Sequence, residues 1–493
     1  MRWFEGPTNT SKAENIEDYA IRKIPSHYRW PIPAIIMVLI GNSTALYFYM
    51  FGVNLAYTVG WPWMLLPILY FFLGSSLIGM VMINLASKEG LTIDLMTRGM
   101  GFGYLGSAVT SLIYGINFVF YFIFEGTIVT HAIAIFFGIH FSSLEGTIIF
   151  AIIGLIKLFL VWFGMKELQF LQSRAILIYG ILFGFAIYIL VTNFEAVGPI
   201  GWTALKPVTS EALWTAFMLV NGQVVFQGLM ATDYGRFAKK SAGYKGGFLC
   251  MIGMLIPMIL NMIAGPLFAF TLLKTFNTEG STSLAANPGY VFPILMGGWG
   301  VLFVIVTQIR INVMNLYSCS LALSNSFSLF FNFRPGRQWW MVFVFLFSCV
   351  IYAFDILQFF DTWLAVSGIL TNTWIFILLA DHYICKKLLK FGPSDFIEYR
   401  RPFLFKWNPT GLFSLLFAVG IGALGIFNFY PIYYASFISM IIGPILHVLL
   451  TIKSKGRFYF THFPVDRDTN WMPDANKKVE IILNSNDNIS KDI

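Results

Sequence analysis

Long apolar runs alternate with short polar connectors along almost the whole chain. Twelve runs stand out: 31–57, 62–86, 104–139, 147–165, 174–193, 211–232, 246–273, 292–329, 338–354, 361–383, 411–428 and 432–452. Each is long enough to cross a hydrocarbon core of about 30 Å as a helix. The pattern therefore predicts an all-α polytopic membrane protein with twelve transmembrane helices. The third and eighth runs are long and are expected to tilt or to extend beyond the bilayer. Residues 1–30 are polar and mixed in charge, without the short apolar core and small-residue cleavage site of a signal peptide. They read as a cytoplasmic tail. Residues 453–493 form a second cytoplasmic tail, and from 461 on they are polar, Asn/Asp-rich and expected to be flexible.

Two runs are interrupted by polar residues near their middles. Span one carries Gly41-Asn42-Ser43-Thr44, and span six carries Asn221-Gly222-Gln223 before continuing through Gln227-Gly228 to Asp233, Arg236, Lys239 and Lys240. A membrane helix must pair its own backbone groups, so a break is tolerated where it lines a buried cavity. Small and polar residues also serve close helix packing, and either stretch alone reads that way. Two interruptions five spans apart read instead as discontinuous helices one and six of an inverted repeat, with a solute site between them at mid-membrane. The organisation that follows is a first repeat over 31–193 (helices one to five), a second over 211–383 (helices six to ten), and two further helices over 411–452.

Composition agrees with this picture and narrows it. The 493 residues are 57% hydrophobic and only 11% charged, with a mean hydropathy of +0.72, which no soluble domain of this size shows. The net charge of +8 marks a side and not a nucleic-acid partner. Basic residues recur in alternate connectors (Lys88 and Arg98, Arg236 to Lys245, Lys386 to Lys406), whereas the opposite connectors hold only Lys206 and Lys274. The bias puts both termini in the cytoplasm. Cys250, Cys319, Cys349 and Cys385 have neither paired nor metal-ligand spacing. No disulfide framework, metal site or cofactor is expected.

Ionisable groups deep in apolar sequence are expensive and usually face a cavity or a counter-charge. Span three places Asn117, Tyr121 and Glu125 at i, i+4 and i+8, on one helix face. Span eight carries Arg310, Asn312 and Asn315. Glu125 and Arg310 are opposite in sign and are expected to pair across the bundle, either as a structural lock or as groups that contact solute or carry a proton. Lys157 in span four is expected to be relieved in part by snorkelling, and His131 to be a packed or interfacial histidine. No His/Glu metal cluster or Ser-His arrangement suggests an enzyme, and no repeated filter loop suggests a channel.

Several motifs resemble the nucleobase–cation symporter family, the purine–cytosine permeases and hydantoin transporters. Gly90-Leu91-Thr92 through Arg98, then Phe102-Gly103 and Gly106, is similar to the family's G-x-x…R…F-G-x-x-G loop. Asp233-Tyr234-Gly235-Arg236-Phe237-Ala238-Lys239 resembles its signature after span six, and Asn312 to Ser318 its N-x-x-N-L-Y-S. Asp381-His382-Tyr383 and Trp407-Asn408-Pro409-Thr410-Gly411 resemble two later pieces. The resemblance implies the five-plus-five, leucine-transporter-like inverted repeat, and a nucleobase or similar small heterocycle held between spans one, three, six and eight.

The substrate contacts expected on these grounds are Asn42, Ser43, Tyr121, Glu125, Gly222, Gln223, Phe226, Asn312 and Asn315. Glu125 and Arg310 are expected to serve ion coupling, with Asp233 and Arg236 gating the cytoplasmic mouth. Two positions depart from the family. Its substrate-stacking aromatic falls near Val224, with Phe226 the nearest ring. Sodium-using relatives place hydroxyls where this chain has Arg310 and Ile311, and a guanidinium there supplies a permanent charge. The expected partners are a nucleobase-like solute, the lipid bilayer, and a proton or sodium. The expected setting is a plasma membrane, by default a bacterial inner membrane. The alternative is a transporter of the same fold for allantoin, a vitamin or an amino acid.

Overall fold

Within hydrocarbon a backbone has no water to bond, so each apolar run must close its own ladder as a helix. The computed structural model describes residues 19, 21–276, 282–333, 335–354 and 359–461. Most of the two tails lies outside these residues. The helices are α1 (Ile32–Ser43), α2 (Tyr47–Val59), α3 (Leu65–Glu89), α4 (Ile93–Thr97), α5 (Gly106–Phe136), α6 (Leu144–Val161), α7 (Met165–Asn193), α8 (Ser210–Gly235), α9 (Gly243–Phe276), α10 (Thr282–Ala286), α11 (Pro288–Met296), α12 (Gly298–Phe330), α13 (Arg337–Tyr352), α14 (Phe360–Leu379), α15 (Pro409–Ile426) and α16 (Ala435–Ser454). Ten helices among the described residues are long and apolar enough to cross a membrane. The other two expected spans are the pair α1 and α2, with 12 and 13 residues, and α13, with 16.

Span one is broken as expected. Its backbone leaves the helix after Ser43 and resumes at Tyr47. Span six is not broken, which corrects the sequence reading. α8 runs without interruption over 26 residues. The polar residues that suggest a break there bond sideways instead. Asn221 Nδ2 donates to Ser436 Oγ (2.8 Å), the Asn221 carbonyl accepts from Asn372 Nδ2 (2.9 Å), and the Val224 carbonyl accepts from Ser75 Oγ (2.9 Å). Gly222 has no side chain because the backbone of Leu364 on α14 lies against its α-carbon. The eighth run is likewise two helices: α11 and α12 meet at a turn where Gly297 has φ +58°.

α1 and α2 lie on α9, and α3 lies on α8; α5 and α12 make the most extensive contact in the molecule. The contact of α6 with α12 is matched by that of α13 with α5, and the contact of α1 with α7 by that of α8 with α14. α15 and α16 pack on each other and on α14 at the periphery. The segment 21–30 crosses one end of the molecule. It is joined there by Trp30 N–H to the Phe237 carbonyl (2.6 Å) and Lys239 N–H to the Trp30 carbonyl (3.1 Å).

Candidate functional site

The break in span one leaves backbone groups that need partners, and two buried side chains of α12 supply them. Leu46 N–H, just ahead of α2, donates to Gln308 Oε1 (3.3 Å). The amide nitrogen of Gln308 in turn donates to the Glu125 carboxylate. On the other side of the break, Arg310 Nη1 donates to Thr44 Oγ1 (3.0 Å) and Arg310 Nε to Gln172 Oε1 (3.0 Å). The Arg310 carbonyl accepts from Gln172 Nε2 (2.7 Å). A cation therefore sits at the C-terminal end of α1, and a carboxylate stands one amide away from the N-terminal end of α2. Both signs complement the helix dipoles. Glu125 and Arg310 do not pair with each other, contrary to expectation, because each is engaged by a different half of the break. Arg310 Nη2 is buried without a hydrogen-bond partner among the described residues.

Beside this arrangement lies a buried cavity lined by Ala45, Tyr47 and Phe48 from span one, Tyr121 and Glu125 from α5, Gln223, Phe226, Gln227 and Met230 from α8, and Ile311 and Asn315 from α12. Its volume is about 20 Å³. That is room for roughly one water. The polar lining is bonded to itself: Gln223 Nε2 donates to Tyr121 Oη (2.5 Å), and Gln227 Nε2 to Gln223 Oε1 (2.9 Å). Asn315 Nδ2 donates to Asn312 Oδ1 (3.3 Å). Phe226 supplies an aromatic wall, tilted 51° from Tyr121 at 5.0 Å between ring centres.

The structure thus brings Tyr121, Glu125, Gln223, Phe226 and Asn315 together, and it places the other expected residues elsewhere. Gly222 packs against α14. Asn312 braces the wall by donating to the Phe122 carbonyl (2.9 Å). Ser43 Oγ donates back to the Ile40 carbonyl (2.7 Å), and the Ser43 carbonyl accepts from Asn261 Nδ2 (3.2 Å). The side chain of Asn42 lies outside the described residues. Lys157 does not snorkel: it is 1% exposed, with its ammonium 5.6 Å from the centre of the Phe122 ring. His131 is packed, its Nδ1 2.7 Å from Asn287 Nδ2. The sequence reading missed Gln308, Gln172 and Gln227. The first could have been found from spacing, since Gln308, Asn312 and Asn315 fall at i, i+4 and i+7 on one helix face.

The motif residues gather at the end of the molecule crossed by the segment 21–30. Asp233 accepts from Tyr114 Oη (3.1 Å) and from Ile93 N–H at the start of α4 (3.4 Å). Arg236 donates to the Asp233 and Tyr19 carbonyls, both at 3.1 Å, and to Tyr317 Oη (3.4 Å). Arg29 Nη1 donates to the Ser87 and Ala238 carbonyls at 2.7 and 2.9 Å. Thr92 caps α4, and Gly101 and Gly103, with φ +90° and +76°, turn the chain toward α5. Gly101 lies against Gly411, and Asn408 caps α15, so two distant motifs meet. Asp94, between spans, accepts from Ser111 Oγ (2.6 Å), and its Oδ2 has no partner among the described residues. Burial first, then the like charge of Asp233, pushes the Asp94 carboxyl up to about 7. Nearby, Asp381, Cys385 and His447 offer three buried groups at metal-ligand separation. The Asp381 carboxylate there is already engaged by Lys386 (2.9 Å), His447 (3.0 Å) and Tyr459.

The model of a family of permeases for cytosine/purines, uracil, thiamine and allantoin matches residues 24–447. No curated protein sequence matches the chain. Among solved structures, the inward-facing conformation of Mhp1 aligns with a TM-score of 0.64 at 13% identity, covering 94% of this chain and 97% of that one. Mhp1, described as a nucleobase-cation-symport-1 family transporter, also aligns in a closed conformation with bromovinylhydantoin bound, with a TM-score of 0.63 at 13% identity over 93% and 98%. A Na+-coupled sialic acid symporter in a substrate-bound outward-open state aligns with a TM-score of 0.59 at 11% identity over 89% and 92%. At these identities the likeness establishes a shared fold.

Proposed function

The chain belongs to the family of permeases for cytosine/purines, uracil, thiamine and allantoin, and from that premise we propose that it takes up a nucleobase or related small heterocycle by alternating access, coupled to protons and independent of sodium. It is a multi-pass membrane transporter and not an enzyme. The observation that carries the substrate class is the cavity: Glu125, Gln223, Gln227 and Asn315 bring a carboxylate and three amides to one buried space beside the break in span one. A flat heterocycle presents alternating donors and acceptors that amides match on both counts, and Phe226, Tyr47 and Tyr121 offer it ring faces. The matched contacts five spans apart support a five-plus-five repeat over 31–193 and 211–383, with helices eleven and twelve as additions, making twelve spans in all. The basic loops support both termini being cytoplasmic, in a plasma membrane.

Sodium independence is supported by Arg310. Its guanidinium lies between Thr44 at the break and Gln172 on α7, where a fixed charge makes a mobile cation superfluous. Asp233 and Arg236 lie away from the cavity and act in gating by joining α8 to α4, α12 and Tyr19. The decisive experiment is uptake in a host lacking nucleobase transport, with cytosine, uracil, purines and hydantoins, each with and without sodium and with an imposed pH gradient. Uptake of at least one nucleobase that follows the pH gradient and ignores sodium is the expected result. Sodium stimulation that disappears in Arg310→Thr would overturn the coupling reading, and uptake confined to a non-heterocyclic solute would overturn the substrate class.

A further inference from the structure

We infer that Gln308 is a positioning residue that conveys the ionisation of Glu125 to the break in span one, by setting which end of its amide faces Leu46. The inference rests on the proposed role of Glu125 in coupling and adds the part that moves. A backbone N–H can only donate, so Leu46 requires the oxygen of the Gln308 amide. An ionised carboxylate can only accept, so Glu125 requires the nitrogen. With Glu125 ionised, one orientation of the amide satisfies both neighbours, and α2 is tied to α12 through it. A protonated Glu125 carries a donor of its own and accepts more weakly. Its proton competes with Leu46 N–H for Gln308 Oε1, and turning the amide to suit one leaves the other facing an NH₂ group. Leu46 N–H has no helical acceptor inside the break, so losing Gln308 frees the first turn of α2, which lines the cavity through Tyr47 and Phe48.

The surroundings suit such a relay. Both side chains are fully buried, which strengthens the difference between an ionic and a neutral hydrogen bond. From α6, Lys157 is the charged group whose field reaches Glu125. From α12, Arg310 is turned to Thr44 and Gln172. Tyr47 borders Glu125 from α2 and also feels Asp361 on α14. Tyr121 lies one turn away on α5 itself, and α11 and α13 direct no charge to Glu125 among the described residues.

The test uses the full chain in proteoliposomes and three variants. Gln308→Met keeps the shape and removes both hydrogen bonds. Gln308→Glu restores an acceptor for Leu46 but must share a proton with Glu125. Glu125→Gln fixes the neutral state. The readouts are exchange of labelled nucleobase without a gradient, uptake against pH, and deuterium exchange of the peptide containing Leu46 after correction for intrinsic rates. Wild type is expected to lose protection at Leu46 by about tenfold on acidification, the loss of one hydrogen bond's worth of about 1.4 kcal/mol. Gln308→Met should still exchange solute, at a lower rate because the first turn of α2 is freed. It should also lose the pH response of uptake and show constant low protection. Gln308→Glu should move the pH midpoint upward, because two adjacent carboxyls do not both ionise. A wild-type pH profile in both Gln308 variants would overturn the relay. An unchanged pH profile in Glu125→Gln would instead overturn the coupling role of Glu125, whatever Gln308 does.

Discussion

Gln223 donates to Tyr121 and accepts from Gln227, so both ends of its amide are engaged within the cavity. A solute entering the cavity must replace those bonds. Gln223→Leu is therefore expected to fold and to raise the uptake KM about tenfold or more, the scale of one to two buried hydrogen bonds, as measured with labelled nucleobase. A second residue-scale expectation concerns Asp94. Its folded-state carboxyl titrates near 7, above the ordinary carboxylate value, so the folded state holds a proton that the unfolded state has released. Stability is then greatest at low pH and falls as pH rises toward and through 7. The melting temperature in detergent should drop by a few degrees between pH 6 and 8, and Asp94→Asn should flatten that drop. Residue identities such as Glu125 and Asn315 were legible in the sequence because a polar group in an apolar run is conspicuous. Gln308 was obscured by its neighbour Arg310, whose charge drew the eye to a pairing that the break in span one prevents.

At the level of the helix, the same sequence signal had two outcomes. Span one breaks because Gln308 and Arg310 are in place to receive its freed backbone groups. Span six, with a comparable polar run, stays helical: the Asn221 side chain bonds Ser436 on α16, and the Asn221 and Val224 carbonyls accept bonds from Asn372 and Ser75 without leaving the helix. Sequence alone shows that polar groups need partners; it does not show whether backbone or side chain will take them. The continuity of α8 makes Gly222 a packing residue. Gly222→Val should drive α8 from the Leu364 backbone and destabilise the protein by about 1–3 kcal/mol, read as a lower melting temperature with α14 less protected from proteolysis. Gln227→Leu, which leaves that contact alone, should not reproduce the loss.

Across the whole molecule, the ten long apolar helices among the described residues were readable in order because hydrocarbon imposes length and composition on every crossing segment. The closure at one end was not readable, since it depends on contacts between residues as distant as Arg29 and Ala238. Arg29 is buried there on carbonyl groups, and burial, then Arg236, brings it down to about 10, so it stays charged at neutral pH. Arg29→Ala should loosen that end. A cysteine placed at Ala45, in a Cys349→Ser background, should then react severalfold faster with an impermeant thiol reagent applied from the Ala238 side.

The self-bonded cavity also bears on what happens after cargo leaves. A carrier whose vacant site exposes unmet polar groups stalls until the next passenger arrives, and so trades one molecule for another. The bonds among Gln223, Gln227 and Tyr121 give the polar groups of the proposed site partners of their own, which makes an unloaded return stroke cheap. Preloaded vesicles should accordingly release labelled solute into solute-free buffer about as fast as into buffer containing it.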